Sequence, residues 1–252
     1  MSRFISLAVI VATGLSLILS SCGNNEEEEI QFNFKMTYGD APLLMFEDVD
    51  FADGRKMQFS RISFFVSDLT LSNNGVNQGS TDVAYLTLSD SHLNLEEAQV
   101  GTPLKLKVEE GNSFDKLQFN IGLTDDQNNT LPTDHTSSSP LSRTGEYWPG
   151  WESYIYAKFE GDIDLNGNGA YEAGETFSLH MGTEAALRAV NLDLTESKES
   201  YDIIIDIAKV FNNNGATYDI DGMRQMHGLS DQTITNINFL SDNLSEAISV
   251  VR

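Results

Sequence analysis

The 252 residues contain a single cysteine, Cys22. One thiol closes no intrachain disulfide, so the folded chain must draw its stability from an apolar core and from any ions it binds. Positive charge is scarce as well: 15 Lys and Arg stand against 38 Asp and Glu, a formal charge of −23. That sign excludes nucleic acid as a partner and favours cations, while also keeping an acidic surface soluble. After the N-terminal stretch, no apolar run is long enough to cross a bilayer. No Pro/Gly-rich linker and no internal repeat divides the chain, so a single domain is expected. Catalytic signatures are missing too. There is no GxSxG and no HExxH. Carboxylates abound, but no aromatic-rich cleft motif accompanies a candidate pair for glycoside hydrolysis, apart from two tryptophans described below. An enzyme is not expected.

What is present begins with MSRFISLAVIVATGLSLILSSC, an early arginine followed by an apolar run and small residues. Leu19-Ser20-Ser21-Cys22 resembles a bacterial lipoprotein signal, which predicts a signal peptide over 1–21 and lipidation of Cys22. A lipidated Cys22 leaves no thiol for nucleophilic work. Removal of Arg3 takes the basic count from 15 to 14 against 38 acidic residues, a net charge of −24. The following GNNEEEE reads as an acidic tether over 22–29, because adjacent glutamates repel one another and keep the chain extended. Such a tether is similar to the surface-export signals of Bacteroidota-type lipoproteins, and a plain spacer reads equally well. The expected location is the bacterial cell envelope, at the outer membrane, on its periplasmic or its surface face.

The remainder, 30–252, alternates. In IQFNFKMTY, Ile30, Phe32, Phe34 and Met36 share one face and the polar residues the other, the period of a half-buried strand. MQFSRISFFVSDLTL reads as two strands meeting at a bend. VAYLTLSD, LKLKVEE, DKLQFNIGL, SYIYAKFEG, TFSLHMG, AVNLDLT and YDIIIDIA continue the series. About ten short strands separated by Asn/Asp/Gly turns predict an all-β antiparallel sandwich. Only the tail changes period: Ile234, Ile237, Leu240, Leu244, Ile248 and Val251 recur at helical spacing, with Ser230 or Asp231 as the cap.

The richest chemistry lies between Gly145 and Gly182, which holds both tryptophans. DLNGNGAYEAGE matches the twelve-residue calcium loop. Asp164, Asn166 and Asn168 take positions 1, 3 and 5, Gly169 takes 6, the Ala170 carbonyl 7, Glu172 9 and Glu175 12. Alternate positions of a tight turn point oxygens inward, as a hard cation requires. The flanks are aromatic and β-branched rather than helical, so the loop is expected to join two strands and to hold calcium structurally. A solvated Asn/Gly hairpin without an ion is the alternative.

RISFFVSDLTL, FDKLQFNIGL, PLSRTGEYWPGWESYIYAKFEG and FSLHMG occur in an order that resembles the methanobactin-associated copper-binding protein (MbnP) family, over roughly 30–230. The resemblance implies a β-sandwich, export, and copper binding assisted by histidines. In some members a partner dihaem peroxidase oxidises a tryptophan to kynurenine. His180 matches the family's late histidine. Trp148 and Trp151 match its tryptophan pair, here with both Pro149 and Gly150 between them. Glu146 and Tyr147 stand where a methionine usually precedes the pair, and LTDDQNNT stands where a histidine often follows the glycine-containing strand.

Copper takes imidazole or thioether donors. The candidates are His180 with Met181, His227 with Met223 and Met226, and His135 in its Pro/Ser loop. His180 and Met181 are adjacent on a strand and face opposite ways, so at most one joins a given site. His92, among turn and acidic residues, is set aside. A second reading is a calcium-braced surface module that binds glycan or peptide on Trp148 and Trp151. The two separate on geometry: copper needs His180 to meet a second donor, whereas a platform needs exposed, coplanar tryptophans.

Overall fold

The computed structural model describes residues 27–251. The expected signal peptide and Cys22 lie outside them. Within them the fold is the β-sandwich that alternation predicted. One sheet runs in the order β12-β10-β1-β4: Ile248–Val250, Ser200–Asp206, Glu27–Tyr38 and Thr102–Glu109. The other runs β9-β5-β2-β7-β8-β11: Arg188–Asp193, Lys116–Ile121, Lys56–Asn73, Ser153–Ile163, Thr176–Gly182 and Gln225–Met226. β3 (Val76–Thr87) also pairs with β2, and β6 (Tyr147–Trp148) pairs with β7. Pairing is antiparallel except between β1 and β10 and between β8 and β11. Phe32, Phe34, Met36, Phe59, Phe64, Phe159, Phe177 and Phe211 fill the space between the layers, with edge-on ring contacts such as Phe34–Phe64 and Phe59–Phe177.

Three expectations are revised. Glu27, Glu28 and Glu29 are not tether but the first residues of β1. β4 supplies the missing charge, since Lys107 meets Glu27 and Lys105 meets Glu29, both at 2.9 Å. MQFSRISFFVSDLTL is not two strands but part of β2, one strand of 18 residues. Register shifts at Phe59/Arg61 and Ser67/Thr70 bend it without breaking it, so that its first half pairs with β7 and its second with β5. The C-terminal helix, Asp231–Glu246, begins at its Ser230 cap, whose hydroxyl accepts from the Thr233 amide at 3.2 Å. It buries Ile237, Leu240 and Leu244, but Ile248 belongs to β12, opposite Ile205.

The outer face of β2 and β7 is covered in turn by the segment between β5 and β6. Asn128, in a helical turn capped by Thr124, accepts from the Ser153 hydroxyl and the Tyr154 amide. The Tyr154 hydroxyl donates to the Leu141 carbonyl at 2.7 Å, and Lys158 donates to the Gly145 carbonyl at 2.7 Å. Lys158 is 4% exposed and also meets Glu146 at 2.8 Å, while Arg61 meets the other Glu146 oxygen at 2.5 Å. A carboxylate between two cations locks this segment onto the sheet and so fixes where β6 starts.

Candidate functional site

Strand parity sets the first half of the site. In TFSLHMG, Phe177, Leu179 and Met181 point into the core, so Ser178 and His180 point outward. β11 lies parallel to β8 with Ser178 opposite Gln225 and Leu179 opposite Met226. Met226 is fully buried, which turns the next residue, His227, to the same outer face as His180. The two imidazole rings lie 4.8 Å apart. The Ser178 hydroxyl sits 3.0 Å from His180 Nε2 and 3.2 Å from His227 Nε2. Glu160, on the neighbouring β7, brings Oε1 to 2.7 Å from His180 Nε2.

The tryptophans close the other side. Pro149 and Gly150 form a turn in which the Trp151 amide donates to the Trp148 carbonyl at 3.0 Å. Trp148 lies nearly parallel to His227, with ring centroids 5.7 Å apart and planes 20° apart. Trp151 packs on Gly182, where a Cβ would come within 2.8 Å of the indole. The two indoles are tilted by 51° and only Trp148 is substantially exposed, at 36%. They make no coplanar platform.

Electrostatics favour a neutral His227 and a charged Glu160. Burial, and then the neighbouring His180, lower the basicity of His227. Glu160 is held below the usual carboxylate range, first by its hydrogen bond with His180 and further by the positive charges of Arg61 and Lys158. Two buried nitrogens, His180 Nδ1 and Trp151 Nε1, have no hydrogen-bond partner. Among the described residues no three His, Cys, Asp or Glu side chains form a ready-made metal centre. The donors here are bonded to one another instead.

The structure thus brings His180, His227, Trp148 and Trp151 together and leaves His135 out, whose Nε2 is 2.8 Å from the Thr130 hydroxyl in its own loop. Met181 and Met226 face the core. Glu160 and Ser178 were not foreseen. Ser178 shares outward parity with His180 two residues away on the same strand, a signal available in the sequence, whereas Glu160 is brought in by the pairing of β7 with β8. His92 is buried, its Nε2 accepting from the Met36 amide at 2.9 Å and its Nδ1 facing the Leu88 carbonyl.

The 164–175 loop joins β7 to β8, as its flanks predicted. Asp164 Oδ2 accepts from the Gly169 amide at 2.7 Å, and Oδ1 accepts from Gly167 and Asn168. These backbone donors, Gly169 foremost, hold the Asp164 carboxyl below its ordinary range. Glu175 accepts from the amides of Leu165 and Glu172. Asn166 reaches both Glu172 and Glu175, and Asn168 reaches Glu172. Gly169 has a φ of 82°, the left-handed turn that its position requires.

No curated protein matches the chain by sequence. Among solved structures, MbnP from Methylosinus trichosporium superposes with a TM-score of 0.58 at 10% identity, covering 89% of this chain and 98% of that one. At that identity the likeness is one of fold. The MbnP family model matches residues 27–227, from the first residue of β1 to His227 itself. The chain belongs to the MbnP family.

Proposed function

We propose that this MbnP-family protein is an exported, lipid-anchored, non-enzymatic metal-binding protein whose copper site is built on His180 and His227. The observation that carries the reading is the approach of the two imidazoles to 4.8 Å, with Ser178 near both Nε2 atoms. Neutral imidazole is the ligating form, and burial favours it at His227. Glu160 adds an oxygen donor, whereas Met181 and Met226, buried in the core, add none. Copper entering here would replace the His180–Glu160 hydrogen bond. On this reading Trp148 is the tryptophan that a partner dihaem peroxidase reaches, being the exposed one of the pair. The anchor is Cys22, and the location is the cell envelope.

The 164–175 loop is proposed to take structural calcium. Its donor set fits a hard cation: two buried carboxylates, Asp164 and Glu175, with Glu172, two carboxamides and the Ala170 carbonyl.

Titration of the purified protein with Cu(I) against a competing chelator tests the copper reading. One tight copper per chain is expected, weakened at least about tenfold in His180→Ala and in His227→Ala. Unchanged stoichiometry and affinity in both variants would reject the site.

A further inference from the structure

Glu146, the carboxylate that locks the segment before β6, also lines a cavity unrelated to the imidazoles. Residues of the 137–146 segment and Tyr85 line an open cavity of about 540 Å³. That is the size of a small-molecule site, which commonly occupies roughly 300–1,000 Å³.

Arg61 and Lys158 close on the Glu146 carboxylate behind the cavity wall, and Glu160 faces the same two cations, so that group carries no net charge. The cation that lines the cavity is Arg143. Its guanidinium lies over the Tyr85 ring, 4.5 Å from the centroid, and has no carboxylate partner among the described residues.

The walls are hydroxylated. Ser139 and Ser142 spend their hydroxyls on the loop's own backbone. Those of Ser137 and Thr144 have no protein partner among the described residues. The guanidinium sits over the Tyr85 ring, and its N–H groups meet no protein acceptor among the described residues. A planar fork of that kind suits two oxygens of a carboxylate or phosphate. A bare inorganic anion would use the fork and leave the hydroxyls idle, whereas a ligand with both an acidic group and hydroxyls uses everything present.

We infer that this cavity binds a small polyhydroxylated anion, a sugar acid or a sugar phosphate, through Arg143 with Ser137 and Thr144. The assignment stands independently of the metal reading. Calorimetric titration of the purified protein with glucuronate, glucose 6-phosphate, glucose and acetate tests it. Saturable one-to-one binding of at least one sugar anion is expected, with glucose and acetate weaker by about tenfold or more. The stronger of the two anions then identifies the acidic group. R143A, at an exposed position, is expected to keep its circular dichroism spectrum and lose about tenfold or more in affinity, with R143K intermediate because it keeps the charge without the fork. Absence of saturable binding by both anions, or equal binding by R143A and the parent, would overturn the inference.

Discussion

His92 shows how one side chain ties acid sensitivity to packing. Its Nε2 accepts the Met36 amide, so the ring is neutral with its proton on Nδ1, directed at the Leu88 carbonyl. Burial lowers its pKa below the ordinary value of 6.5. Between the folded and unfolded values the unfolded chain binds the extra proton, so stability rises with pH across that window. The contribution is complete above about 6.5 and is lost as pH falls below it. Denaturant midpoints measured from neutral pH downward are expected to fall from about pH 6.5. His92→Ala is expected to cost about 1–3 kcal/mol at neutral pH, by stranding the Met36 N–H, and to remove this part of the pH slope. An unchanged slope would place the titration elsewhere. At the same scale Glu160 shows why half of the site went unread. A glutamate on the polar face of a strand reads as solvated surface, and only the pairing of β7 with β8 makes it a neighbour of His180.

At the scale of elements, β2 and β7 approach closely at Gly161. The register shift at Phe59/Arg61 sits opposite Gly161, and a Cβ there would overlap the Gln58 carbonyl and press on Phe177. Gly161→Ala must push two central strands apart. A loss of about 1–3 kcal/mol is expected from the change in denaturant midpoint, and copper affinity should fall with it because Glu160 is the adjacent residue. Stability equal to the parent would mean that the strands separate freely. Elements with a strong local period were legible in the sequence. The alternation of Ile30 to Met36 gave β1, and the spacing of Ile237, Leu240 and Leu244 gave the helix. Elements defined by a distant partner were not. β11 has two residues and no pattern of its own, yet it alone carries His227 to His180. The acidic start of β1 was misread for the same reason, although the Lys105 and Lys107 spacing in LKLKVEE matches that of Glu29 and Glu27.

At the scale of the whole molecule, a chain with one cysteine closes no intrachain disulfide, and the 164–175 loop occupies a strategic position. The Asp164 amide donates to the Lys56 carbonyl at 2.8 Å, and Tyr171 bonds Asp48 at 2.7 Å, so the loop joins β7 and β8 to the start of β2. An ion bound there would stabilise three strands together. Saturating calcium at about a hundred times its dissociation constant is expected to add about 2.7 kcal/mol to unfolding. Thermal melts of Glu175→Gln should fall below the parent in calcium and lie within about 1 kcal/mol of it in chelator. An equal deficit in both conditions would assign Glu175 to the backbone hydrogen bonds alone.

The placement of the aromatic residues gives the molecule an optical property. Its only two indoles are Trp148, stacked on His227, and Trp151, packed on Gly182. Light absorbed selectively by tryptophan is therefore emitted from the candidate copper site and from nowhere else. Trp148 is partly in water and Trp151 largely out of it, so the emission has a wet component and a dry one. The protein carries a native fluorophore at the place where its function is proposed, and occupancy there can be followed without a label.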